Sequence, residues 1–201
     1  MTRTYVALDL ELTGLDHRGD DIIEIGMVKF KGRQVLGTFS SPVNSPLDLP
    51  YKVEQLIGIS QAEIDRAPTL RSIQDRIIAF VGNLPVIGHS IATDLRFLNR
   101  HGLLPGHPAI DTFELATIVL PGMRRYSLAH LVESLGIGMD QKHRALSDAM
   151  ATKDLFLALV DRVRQWDTDT LEGIARLSVD TDWSLGGLFR QLASERRARQ
   201  G

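Results

Sequence analysis

Asp9 and Glu11 stand two residues apart inside TYVALDLEL (Thr4 to Leu12), a run whose alternation reads as a strand. Val6, Leu8, Leu10 and Leu12 share one face; Tyr5, Ala7, Asp9 and Glu11 share the other. At ~3.3 Å rise per residue the two acids are ~6.7 Å apart. Burying two like charges is costly unless something positive lies between them. Hard divalent cations such as Mg²⁺ and Mn²⁺ take oxygen ligands, so paired carboxylates suit them. The competing reading is an edge strand with two solvated acids, against which the apolar run argues. Two further carboxylates matter: Asp94, opening a helix after the Gly88-His89-Ser90 turn, and Asp148, within HRALSDA (His143 to Ala149). His143 lies five residues before Asp148, ~7.5 Å along the axis if both were helical, and just ahead of the helix proper. Singly, an acid at a helix start satisfies the helix dipole, and a loop histidine is unremarkable.

The elements that must position these groups follow from periodicity. A second strand is predicted over Ile22 to Phe30 and a third over Gln34 to Pro42, joined at Lys31-Gly32-Arg33 as an antiparallel hairpin. Pro42 to Pro50 reads as a loop, and Ser60 with Glu63 as a capping box. Thr69 to Val81 is amphipathic, with Leu70, Ile73, Ile77, Phe80 and Val81 at helical spacing. Short strands at Pro85 to Gly88 and Pro108 to Thr112 alternate with helices at Ile91 to His101, Phe113 to Leu120 and Ser127 to Leu135. Arg144 to Trp166 is the longest helix. A hairpin followed by alternating strands and helices argues α/β with a mixed sheet.

The chain has 201 residues, 43% hydrophobic and 24% charged, which fits one well-cored domain with a short appendage. The absence of cysteine excludes disulfides, thiolate zinc sites and cysteine nucleophiles. No apolar run approaches the ~20 residues of a membrane span, and the N-terminus lacks a signal-peptide core. The expectation is a cytoplasmic protein with no membrane partner. A net charge of −2 gives no global basic field for nucleic acid, although an acidic metal site can mask local basic patches in that sum.

DLELTG (Asp9 to Gly14), GHSIATDLRFL (Gly88 to Leu98) and HRALSDA, in that order, resemble the motifs of the DEDDh 3′→5′ exonuclease family. Gly58-Ile59-Ser60 with Glu63, and IDTFELA (Ile110 to Ala116), extend the resemblance over roughly Tyr5 to Val163. Three separated motifs in order are specific where any one alone is weak. The resemblance implies a ribonuclease-H-like α/β fold, a five-stranded mixed sheet flanked by helices. It also implies Asp9, Glu11, Asp94 and Asp148 as the carboxylates of a two-ion Mg²⁺ or Mn²⁺ site. Carried across, Asp9 would bridge the ions, Glu11 and Asp148 would complete the one that binds the nucleophilic water, and Asp94 would support the other. Ions ~3.5–4 Å apart clamp the attacking and leaving oxygens of an in-line displacement. His143 is then the general base, an imidazole that takes a proton at neutral pH, and nucleoside 5′-monophosphates leave from the 3′ end. Leu12, Thr13, Gly14, Ile57 and Ser90 take the substrate-binding positions. The chain departs from the family pattern with Leu12 where Thr is common, Ile57 where His or Thr is frequent, Ser90 for Asn and Thr93 for Phe. None of these is an implied metal ligand, so the departures bear on substrate preference.

Asp111 reads as a helix cap rather than a ligand, and His89, His101 and His130 as packed or capping residues. Tyr126 with Arg124 and Arg125 reads equally well as surface or as a contact to the substrate backbone. Residues 1–166 are expected to form the exonuclease domain and 167–201 a helical extension, with helices at Thr168 to Leu177 and Ser184 to Arg199 joined through Asp180-Thr181-Asp182. Arg190, Arg196, Arg197 and Arg199 near its end read as a solvated helix terminus before a nucleic-acid contact. Leu177 to Gln191 resembles the segment linking exonuclease domains to helicase modules in DinG-like proteins. The expected substrate is single-stranded DNA, with a polymerase or helicase module as possible partner. The alternatives are an exoribonuclease or short-oligonucleotide degrader, separable only by contacts to the 2′-OH, and a weakly active binding or recruitment domain, against which the complete acid set speaks.

Overall fold

The alternation along the first strand decides the layers of the fold. The structure, a computed structural model, describes residues 3–139, 143–179, 181 and 183–200, and of the side chains at 199 and 200 nothing is described. The elements are β1 (Thr4–Leu12), β2 (Ile22–Lys31), β3 (Gln34–Pro42), α1 (Tyr51–Ile57), α2 (Gln61–Arg66), α3 (Leu70–Val81), β4 (Val86–Gly88) and α4 (Ala92–Arg100). They continue as β5 (Ala109–Asp111), α5 (Thr112–Val119), α6 (Leu128–Ser134), α7 (Ala145–Val163), α8 (Thr168–Leu177) and α9 (Gly186–Gln200). The five strands form one mixed sheet in the order β3-β2-β1-β4-β5. β1, β2 and β3 pair antiparallel, while β4 and β5 run parallel to β1. The hairpin and the mixed sheet are those expected from periodicity, and the five strands with flanking helices are those that the resemblance implies.

Each face of β1 feeds its own core. Val6, Leu8 and Leu10 pack with Ile73, Ile77 and Val81 of α3 and Phe97 and Leu98 of α4. Tyr5 and Ala7 pack on the other side with Leu115 of α5, Leu131 of α6 and Leu155, Phe156 and Leu159 of α7. Tyr5, Phe30 and Phe156 interlock there, with ring centroids 5.4–6.3 Å apart. Such aromatic pairs add ~0.5–1.5 kcal/mol each beyond the area they bury. Asp9 and Glu11 continue this second face toward the carboxyl end of β1, so α7 lies over them.

Local signals set the ends. Thr69 caps α3 by accepting from Ser72 N, and the Ser60–Glu63 capping box opens α2. Asp111 caps α5 as expected, accepting from Phe113 N at 2.8 Å and also from Ser90 N at 2.9 Å. Helix α1 falls in a stretch for which periodicity predicted no element: seven residues behind Pro50, with only Ile57 buried, leave too short a pattern to register.

The C-terminal helices share the core of α7. Leu171, Leu185, Leu188, Phe189, Leu192 and Ala193 belong to the same buried cluster as Tyr5 and Phe156. Trp183 stacks on Phe189 at 5.3 Å and donates to Glu114 Oε1 at 2.7 Å. The arginines here serve internal contacts: Arg190 donates to Ser178 O, Arg196 to Arg164 O, and Arg197 pairs with Glu172. The Asp180 and Asp182 parts of the expected connection, and the Arg199 side chain, lie outside the described residues. Among the described residues no helix is long and apolar enough to cross a membrane.

Candidate metal centre

Two acids from β1 and one from α7 converge. One carboxylate oxygen each from Asp9, Glu11 and Asp148 lies within 4.8 Å of the other two. The strand supplies Asp9 and Glu11 on one face, and the first turn of α7 lowers Asp148 onto them. Asp94, in the first turn of α4, reaches the same strand from its flank: it is buried, and its Oδ1 accepts from Leu10 N at 3.2 Å.

Burial and mutual repulsion make the cluster reluctant to ionise. Burial, then the charges of Asp94, Asp148 and Glu11, push Asp9 well above the usual carboxylate range. Burial and Asp148 push Glu11 up to about 8, with Arg144 pulling the other way. Burial lifts Asp94 to about 7, and lifts Asp148 to about 6 against the lowering influence of His143. Asp148 Oδ1 is buried and has no hydrogen-bond partner among the described residues. Among those residues, none of the four acids is ion-paired with a lysine or arginine. An orphaned oxygen within a cluster of all-oxygen donors suits a hard divalent cation, which supplies the missing charge.

α7 is seated on β2 at two points. Glu24, opposite Glu11 in the β1–β2 pairing, accepts from Arg144 and from Ala145 N. At Gly26 a Cβ would stand 2.1 Å from Ala145 C and 2.2 Å from Leu146 N, so only glycine admits the helix backbone here. His143, half-buried, precedes Arg144 with a left-handed φ of 59°.

The substrate-binding candidates differ in exposure and in what they touch. Leu12 is half-buried against the α3–α4 core. Thr13 is buried, donating its hydroxyl to Asp20 Oδ1 at 3.0 Å and accepting from Asp21 N. Gly14 lies so close to Asp20 that a Cβ would meet its carboxylate at 2.4 Å. Ser90 is exposed in a left-handed turn with φ 62°. Ile57 is 4% exposed and packs inward with Ile23, Leu49, Ile59 and Ile64. Two residues carry only faint signals in the sequence: Leu15, 81% exposed beside Gly14, is an apolar residue in a polar loop, and Glu24 is an acid within the mostly apolar run from Ile22 to Val28. His89 is a packed residue, bonding Thr112 Oγ1 and the Tyr126 carbonyl, and burial lowers its pKa.

Comparison with known proteins places the chain among exonucleases. The RNase_T family model, described as exonuclease, matches residues 6–156. The chain is 31% identical over 165 residues to the DNA polymerase III subunit epsilon of Aquifex aeolicus, covering 80% of this chain and 82% of that protein. It is 33% identical over 199 residues to the 3′-5′ exonuclease DinG of Bacillus subtilis, covering 96% of this chain but 21% of that protein. The PolC-type DNA polymerase III of Clostridium perfringens is 34% identical over 155 residues, 75% of this chain and 11% of the polymerase. The chain therefore spans only a small part of these last two relatives. In fold it is similar to exonuclease X in complex with 5′ overhanging duplex DNA, with TM-score 0.68 at 23% identity over 81% of this chain and 94% of that one. It is equally similar to the nuclease domain of 3′hExo, a DEDDh family member bound to rAMP, with TM-score 0.69 at 20% identity over 80% and 92%.

Proposed function

The chain belongs to this exonuclease family, and from that membership we propose that it removes nucleotides one at a time from the 3′ end of single-stranded DNA as 5′-monophosphates. The observation that carries the reading is the meeting of Asp9, Glu11 and Asp148 within 4.8 Å. These three and Asp94 would hold two divalent cations, Mg²⁺ or Mn²⁺. Bound there, the ions supply Lewis-acid stabilisation of the phosphoryl oxygens and ease deprotonation of water. His143 accepts the proton of the attacking water; the water oxygen bonds phosphorus, the bond to the upstream 3′-oxygen breaks, and that oxygen takes a proton from solvent and leaves as a hydroxyl. Leu12, Gly14 and Ser90 form the rim against which the terminal nucleotide rests, and Thr13 and Ile57, turned inward, shape it from behind.

DNA is favoured as substrate because the epsilon relative is a subunit of a DNA polymerase and the PolC-type relative is a DNA polymerase. We assign catalysis to residues 1–166 and treat 167–201 as a helical extension that serves a neighbouring polymerase or helicase module. The alignment with DinG, which runs through that extension, supports this. The protein acts in the cytoplasm, with the replication proteins that it resembles. Oligonucleotides labelled at the 5′ end, as DNA and as RNA, test the reading when incubated with Mg²⁺ or Mn²⁺. A ladder shortening by single nucleotides with release of 5′-monophosphates is expected, and internal cuts or release from the 5′ end would overturn it.

A further inference from the structure

A buried carboxylate beside the acid cluster holds the segment that carries His143. Glu24 is 1% exposed. Its oxygens accept from Arg144 Nη2 at 2.9 Å, from Arg144 Nε at 3.2 and 3.3 Å, and from Ala145 N at 3.1 Å. Two residues along the same face of β2, Gly26 lets the Ala145–Leu146 backbone settle on the sheet. β2 thus grips the chain on the C-terminal side of His143 through a charged, forked contact and a close backbone approach.

That grip matters because of the conformation next to it. His143 holds φ at 59°, in the left-handed region that side chains with a Cβ adopt rarely. Such backbones persist where their surroundings over-determine them, and they gather at functional sites. Asp148 needs no comparable help, since α7 is anchored further on by Ala149, Leu155, Phe156, Leu159 and Val160 in the core. Bidentate arginine–carboxylate pairing fixes orientation as well as distance. Glu24 has both oxygens occupied by these donors, whereas Asp148 keeps an oxygen without a partner among the described residues.

We propose that Glu24 and Arg144 form a latch that fixes His143 beside Asp148, making Glu24 a positioning residue for proton transfer rather than a further acid of the metal site. The proposal rests on His143 being the base of the reaction described above. Glu24→Gln keeps the shape and one acceptor while removing the charge; Glu24→Ala removes both. We expect kcat to fall ~10-fold for Gln and ~10²-fold for Ala, with KM for an oligonucleotide and affinity for Mn²⁺ changed by less than about threefold. In a His143→Ala background neither substitution should lower kcat by more than about twofold, because the group it positions is gone. Losses that add to that of His143→Ala, or a drop in Mn²⁺ affinity like that of Asp148→Ala, would overturn the latch.

Amide hydrogen exchange reads the same latch without any activity. Glu24→Gln should speed exchange at Ala145 and Asp148 N–H while leaving α7 beyond Leu155 protected. Unchanged exchange at those two amides, or acceleration along the whole helix, overturns the proposal. A wild-type protein that releases no nucleotide defeats the functional reading alone, and the exchange result then still decides the latch.

Discussion

At the scale of single residues, the reaction asks most of Asp9 and Asp148, the acids brought together from strand and helix. Each replaced by Ala should lower turnover at least ~10³-fold, about 4 kcal/mol of lost transition-state stabilisation. His143→Ala should cost ~10²–10⁴-fold, the range for a general base, with Mn²⁺ binding by calorimetry retained. Equal loss of Mn²⁺ affinity in the His143 and Asp148 variants would make His143 a ligand. The raised acids also set a pH dependence. Glu11 is pushed up to about 8, Asp94 to about 7 and Asp148 to about 6, while in the unfolded chain carboxyls titrate near about 4. Between those limits the folded, metal-free protein holds protons that the unfolded chain has released, so its stability falls as pH rises from about 4 to about 8. Divalent cations bind the ionised acids and act the opposite way. Thermal melts in EDTA should show Tm falling from pH 5 to pH 8, with the fall flattened by Glu11→Gln and reduced by Mg²⁺. A Tm that climbs with pH in EDTA would contradict the cluster's described burial and repulsion.

At the scale of elements, the seating of α7 on β2 is the contact on which the site's geometry turns. Gly26→Ala places a methyl against Ala145 and Leu146 backbone, and we expect a loss on the order of 3 kcal/mol or more, measured by urea unfolding. Phe189→Ala should cost ~3–5 kcal/mol, since its ring lies between Trp166 and Trp183 in the shared core; a loss below about 1 kcal/mol would show that the extension is not part of that core. Much of this was legible in the sequence. The two faces of β1 could be read residue by residue because period-2 alternation maps directly onto the two cores. The bounds of β1, β3 and α8 coincide with those expected, and Thr69, Ser60 and Asp111 act at the helix starts foreseen for them. What stayed hidden depends on partners distant in sequence. Glu24 meets Arg144 120 residues away, Glu114 meets Trp183 69 residues away, and no local pattern announces either. Ile57 looked like a substrate contact by position, yet its side chain serves the interior.

At the scale of the whole molecule, a rim with few polar groups argues for weak discrimination between polymers. Leu12 and Gly14 offer no side-chain hydrogen bond, Thr13 behind them has its hydroxyl engaged with Asp20 and Asp21, and Ser90 is left as the one rim hydroxyl. A missing hydroxyl is rejected strongly only where a site hydrogen-bonds it. The ratio of kcat/KM for DNA and RNA oligonucleotides should therefore stay within about tenfold, under ~1.4 kcal/mol; a preference above about a thousandfold would reveal a 2′-position contact outside this account.

The central claim, that these acids hold metal for 3′ nucleotide release, meets its most direct test in one measurement. Release of 3′ nucleotides, read as the shortening of a 5′-labelled single-stranded oligonucleotide, is followed during Mg²⁺ titration of the EDTA-treated protein, for wild type and Asp148→Ala. Release from the wild type should be absent without the ion, rise and saturate with Mg²⁺, and stay at least ~10³-fold lower in the variant at every concentration. Near-normal release in EDTA, or an Asp148→Ala curve that overlays the wild type, would contradict the claim.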